Sequence, residues 1–120
     1  MKKYLFLLLF VGVTLACNSQ SSSKVKVVSK EEFKLAIQNQ KVQLVDVRTA
    51  EEYADGAIVN AQNIDVLESS FETKIQKLDK TQPVYIYCRS GSRSQTAAQK
   101  MIDLGFTQVI DLKGGYLNWN

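Results

Sequence analysis

The sequence predicts an α/β domain with a mainly parallel central sheet of about five strands flanked by helices on both faces. Three observations predict it. Short β-prone runs alternate with segments of helical period along residues 24–120. The spacing between successive strands suits βαβ crossovers. The strand candidates are apolar almost throughout, as strands covered on both faces must be. In such sheets the chemistry lies beyond the carboxyl ends of the strands. Asp46, Arg48 and Cys88 fall there.

Val25 to Val28 forms the first strand candidate. Ser29 then offers a helix cap, with Glu32 three residues on as a capping box requires. A helix from about Lys30 to Gln38 buries a stripe that includes Phe33, Ala36 and Ile37. Val42 to Val47, interrupted by Gln43 and Asp46, reads as a buried parallel strand. Thr49 to Tyr53 reads as a short capped helix that Gly56 terminates, and Ile58 to Ile64 carries a short strand. A further amphipathic helix is expected from about Leu67 to Leu78. Pro83 ends that stretch and introduces Val84-Tyr85-Ile86-Tyr87, the best central-strand candidate in the chain. Cys88 stands at its end. Gln95 to Leu104 is helical with Gly105 as its cap, and Val109 to Leu112 is the last strand.

The first residues point outward from the cell. Lys2 and Lys3 precede an apolar run from Tyr4 to Ala16, the pattern of a secretory signal, and the run is shorter than the roughly 20 apolar residues that span a bilayer. Thr14-Leu15-Ala16-Cys17 resembles the lipobox of bacterial lipoproteins. An ordinary cleaved signal and an uncleaved anchor are the other readings. The expectation is a signal peptide over 1–16, lipidation at Cys17, a flexible tether over 17–23 and one domain over 24–120. Acyl chains contribute about 0.8 kcal/mol per buried methylene, so several would hold the domain to a membrane without the domain touching lipid. The protein is then expected in a bacterial cell envelope, facing the periplasm or exterior.

The chain has 120 residues, enough for one core; with 45% hydrophobic and 22% charged residues it has ordinary globular composition. Of 15 basic residues two lie in the leader, which leaves near balance against 12 acidic ones. A nucleic-acid partner is not indicated. With no histidine, imidazole catalysis is excluded and a zinc site lacks its commonest nitrogen ligand, so neither metal nor cofactor is expected. If Cys17 belongs to the leader, Cys88 has no partner within the domain.

The segment Cys88-Arg89-Ser90-Gly91-Ser92-Arg93-Ser94 explains that thiol. Small residues around Gly91 let backbone N–H groups turn inward as a nest for negative charge, and a helix beginning near Ser92 adds its positive end. Free cysteine titrates near about 8.5 and such surroundings lower that value, giving a nucleophile without a histidine base. Arg89 and Arg93 can bind an anion through forked donors.

At these residues the domain resembles a single-domain rhodanese, a thiosulfate sulfurtransferase-like protein. Leu44 to Tyr53 resembles the family's first signature, and Gly56-Ala57-Ile58 with Asn60 to Ile64 resembles its continuation. Tyr85 to Arg93 resembles the active loop, and Gly114-Gly115-Tyr116 with Trp119 resembles the closing segment. One departure is Ala57, where the family usually has histidine. The resemblance implies a persulfide formed on Cys88 from a small donor such as thiosulfate and passed to a thiol or protein acceptor. It also implies that the amides from Arg89 to Arg93 cradle the sulfur, that Arg93 closes the loop and that Arg89 meets the donor.

Asp46 and Arg48 read as a polar brace at their strand end, with direct substrate contact as the alternative. Two rival functions remain on this reading. A cysteine phosphatase or arsenate reductase uses the same thiolate, nest and arginine, but Cys88 and Arg93 enclose a loop one residue shorter than the phosphatase loop. A non-catalytic rhodanese-like binding module is the other. Inactive members of the family typically lack the loop cysteine.

Overall fold

Five short strands order themselves as β1 (Val25–Val28), β5 (Val109–Leu112), β4 (Val84–Tyr87), β2 (Gln43–Asp46) and β3 (Gln62–Asn63), and every pairing is parallel. A computed structural model describes residues 24–120; the expected signal over 1–16, Cys17 and the tether over 17–23 lie outside the described residues. β4 lies at the centre, where its β-branched and aromatic run placed it. All four of its residues are buried.

Alternation along the strands divides the core into two layers. Val45, Val47, Val84, Ile86, Cys88 and Val109 face one side with Phe71, Ile75, Ala97, Ala98 and Met101. Leu44, Tyr85, Tyr87 and Leu112 face the other with Phe33, Ile58 and Ala61. The first layer is covered by α3 (Phe71–Ile75) and α4 (Ser92–Asp103), the second by α1 (Lys30–Asn39). A short helix α2 (Ala50–Asp55) places Tyr53 against that second layer. Helices therefore flank both faces, as expected.

Local chemistry sets the element ends. Ser29 caps α1 by accepting the Glu32 N–H at 3.2 Å. The full reciprocal box forms one helix later, where Thr49 accepts the Glu52 N–H at 3.2 Å and Glu52 returns a bond to the Thr49 N–H at 3.4 Å. α4 ends in a Schellman turn: Phe106 N–H reaches Met101 O at 3.1 Å and Gly105 N–H reaches Ile102 O at 3.0 Å, with Gly105 at φ 97°.

Two elements are shorter than the periodicity predicts. The helix expected over 67–78 forms only over Phe71–Ile75. Asp65 takes the Leu67 N–H at 2.8 Å and Glu68 takes the Ser70 hydroxyl at 3.1 Å, so side chains satisfy the segment before a helix can start. The strand expected over 58–64 pairs only at Gln62–Asn63, because Ile58 to Ala61 closes a turn with Asn60 at φ 70°. α4 begins at Ser92, three residues before the periodic run, which brings its first turn against Cys88.

The chain finishes by binding the end of β4. After β5, Gly114 and Gly115 lead into a 3₁₀ turn over Tyr116–Asn118. Tyr116 N–H donates to Cys88 O at 2.8 Å and Leu117 N–H donates to Arg89 O at 3.0 Å. Gly115, at φ 63° and ψ −160°, lies so close that a Cβ there would stand 2.5 Å from Arg89 C and 2.6 Å from Cys88 O. Gly115→Ala should therefore lower stability by on the order of 2 kcal/mol or more in urea unfolding. It should also slow alkylation of Cys88. A variant as stable and as reactive as the parent would show that the contact is slack.

Candidate active site

β4 delivers Cys88 to the carboxyl edge of the sheet, and the next residues turn back over it. The residue is 1% exposed, whereas Arg89, Ser90 and Ser92 around it are exposed. Gly91 donates its N–H to the Cys88 sulfur, 3.1 Å away, and its left-handed φ of 112° then turns the chain into α4. The Cys88 thiol donates to Ser94 Oγ at 3.3 Å, and Ser94 Oγ donates to Gly91 O at 3.1 Å. Sulfur, Gly91 and Ser94 thus form a closed unit at the first turn of α4, the positive end of its dipole.

The terminal 3₁₀ turn completes the loop. Because it holds the carbonyls of Cys88 and Arg89, planar trans peptides turn the N–H groups of Arg89 and Ser90 away from that side. The backbone is thereby pre-set for charge that develops on the sulfur.

Arg89 and Arg93 separate into different places. Arg89 lines a cavity of about 310 Å³ with Arg48, Glu52, Asp55, Tyr116 and Leu117. Arg93 turns to Glu52, Nη1 to Oε1 at 2.6 Å and Nη2 to Oε2 at 2.9 Å. The Arg93 hydrogen bonds hold the Glu52 carboxyl down at about 2, and Glu52 in turn raises the Arg93 guanidinium further. This fork is occupied by a carboxylate of the protein. A second cavity, of about 500 Å³, borders the opposite side of the loop and is lined by Ser90, Gly91, Ser92 and Asp111 among others. A third, of about 420 Å³, lies at the amino end of the sheet beside Gln43 and Pro83, away from Cys88.

Asp46 and Arg48 close on each other. Asp46 is fully buried and accepts the Arg48 backbone N–H at 2.9 Å, its Nε at 3.0 Å and its Nη2 at 2.6 Å. Arg48 Nη2 also donates to Gly56 O at 2.6 Å, and the guanidinium lies over the Tyr116 ring at 4.3 Å. Burial works against the Arg48 charge, but Asp46 outweighs it and holds the group above its ordinary value. The pair so joins the end of β2 to the turn that grips Cys88.

Three participants escaped the sequence reading. Glu52 looked like a helix-capping acid, and only the fold brings it across 41 residues to Arg93. Ser94 followed the loop without an assigned role. Asp111, 1% exposed on the α4 side of β5, interrupts an apolar strand, and that interruption was the available signal.

A buried thiol with the Gly91 amide on its sulfur and no ionisable base bonded to it suits covalent transfer of a soft atom. Among the described residues no cluster of three or more Cys, Asp or Glu side chains is placed to hold a metal ion, and no helix is long and apolar enough to cross a membrane.

Comparison with known proteins places this geometry. The Rhodanese-like domain profile matches residues 29–120. Uncharacterized protein YqhL of Bacillus subtilis is 36% identical over 95 residues, covering 79% of this chain and 72% of that protein. Thiosulfate sulfurtransferase GlpE of Coxiella burnetii is 31% identical over 83 residues, covering 69% of this chain and 76% of that protein. The solved Rhodanese-like Domain Protein of Staphylococcus aureus superposes with TM-score 0.71 at 31% identity, covering 79% of this chain and 91% of that one.

Proposed function

The chain belongs to the Rhodanese-like domain family, and on that premise we propose that it is a sulfurtransferase carrying sulfur as a persulfide on Cys88. The observation that carries the reading is the Gly91 N–H directed at the Cys88 sulfur at 3.1 Å, in a loop whose neighbouring carbonyls are tied back. A named sulfurtransferase at 31% identity supports it.

In the first step the Cys88 thiolate attacks the outer sulfur of a donor such as thiosulfate. A sulfur–sulfur bond forms as the donor's own breaks, and the electron pair leaves with sulfite. In the second, a thiol or other nucleophile attacks the outer sulfur of the persulfide and the Cys88 thiolate departs. Both steps place negative charge on sulfur within the loop, so the same Gly91 amide serves each. Arg89, exposed at the mouth, draws the anionic donor, while Arg93 holds the loop to α2 through Glu52.

The location proposed for this chemistry is the bacterial envelope, with Cys17 lipid-modified, residues 17–23 as tether and membrane contact through the anchor alone. The support is the charged and apolar order of residues 2–16. Full-length protein and Cys17→Ser should then transfer sulfur equally, with Cys17→Ser moving from the membrane to the soluble fraction. Unchanged membrane retention of the variant would argue against lipidation.

Mass spectrometry after thiosulfate should find about 32 Da added at Cys88. Cyanide or a thiol should remove it, and Cys88→Ser should abolish it. An intact reduced thiol without adduct would favour a binding module, and phosphatase turnover without sulfur transfer would reverse the assignment.

A further inference from the structure

We propose that Asp111 is a positioning residue for Cys88, governing through Ser94 whether a hydroxyl proton is offered to the sulfur or withheld from it. A carboxyl has no packing reason to stand in a parallel strand covered on both faces. Yet Asp111 is 1% exposed, on the layer formed by Val109, Ile86 and Cys88, and its Oδ1 has no hydrogen-bond partner among the described residues. Burial pushes this carboxyl up to about 6, opposed in part by the Ser94 hydroxyl.

Ser94 is the link. It is fully buried, 3.3 Å from the Cys88 sulfur, and its hydroxyl draws the Asp111 carboxyl down against the effect of burial. Its hydroxyl has one proton and competing acceptors: Gly91 O, at 3.1 Å, the sulfur once ionised, and the Asp111 carboxylate. When Asp111 is ionised it draws the Ser94 proton toward itself and leaves a thiolate without that donor. When Asp111 is neutral, its own O–H can donate to Ser94 Oγ, and the Ser94 proton is released to the sulfur. Asp111 takes its proton from solvent through the cavity that it lines, and the Ser94 hydroxyl rotates.

Few charges compete for that role. β1 presents Val27 opposite Asp111 and β4 presents Ile86, while Lys26, Tyr85 and Tyr87 face the other layer. On α4, Arg93 is taken up by Glu52. Lys113, beyond β5, lines with Asp111 the 500 Å³ cavity behind the loop, through which the carboxyl exchanges protons with solvent. Cys88 is the ionisable residue of that layer's core.

The inference rests on Cys88 as the reactive thiol, not on any sulfur donor, so the test reads alkylation alone. Iodoacetamide rates on the folded domain are measured across the acid and neutral range. In the parent, the logarithm of the rate should rise with less than unit slope around pH 6, the titration of Asp111. Asp111→Asn should restore unit slope and react several-fold faster at neutral pH. Ser94→Ala, which keeps the carboxylate but breaks the link, should also lose the shallow limb. Superimposable parent and Asp111→Asn profiles would overturn the proposal, as would a shallow limb retained by Ser94→Ala should the asparagine variant not fold. Failure of sulfur transfer would leave this test intact.

Discussion

The site depends on one backbone reversal. At the end of β4 the chain must stop being a strand, bring an N–H back onto the sulfur it has just passed, and enter α4 within four residues. Gly91 accomplishes this: its amide meets the Cys88 sulfur, and its left-handed step at φ 112° then starts the helix at Ser92. A chain held to right-handed φ there would carry the helix elsewhere. The dipole of α4 would then act at a distance from the thiol.

Around that reversal the fold supplies restraint from three directions. The terminal 3₁₀ turn holds the carbonyls of Cys88 and Arg89, Glu52 holds Arg93, and Ser94 holds Gly91 O. Arg48, itself neutralised by Asp46, supports the ring of Tyr116 and so connects the sheet edge to the turn. Charges that looked available for substrate are largely consumed in this scaffold. Arg89 is the arginine of the loop left at the mouth, so the backbone bears most of the electrostatic work.

Much of this was legible from residue order. Val84 to Tyr87 announced a central strand, and the small residues after Cys88 announced an anion nest, since both signals are local and lie within one element. What was illegible depends on distance or competition. The segment from Leu67 to Leu78 has helical period, but Asp65, Glu68 and Ser70 offer side-chain bonds that period does not register. Glu52 and Arg93 meet only once the sheet brings the ends of α2 and α4 to its carboxyl edge, and no spacing rule reaches that far. Asp111 was visible as an anomaly, yet its meaning required knowing that β5 lies beside β4 and puts that carboxyl on the side of the sheet that Cys88 occupies.

Replacing Gly91 by alanine isolates the backbone conformation, because no atom lies within 4 Å of the added Cβ. Persulfide formation on Gly91→Ala, followed by stopped-flow mixing with thiosulfate, should be slowed by on the order of tenfold or more, with unfolding free energy lowered by only about 1–2 kcal/mol. A variant that folds and loads sulfur at the parental rate would contradict the account.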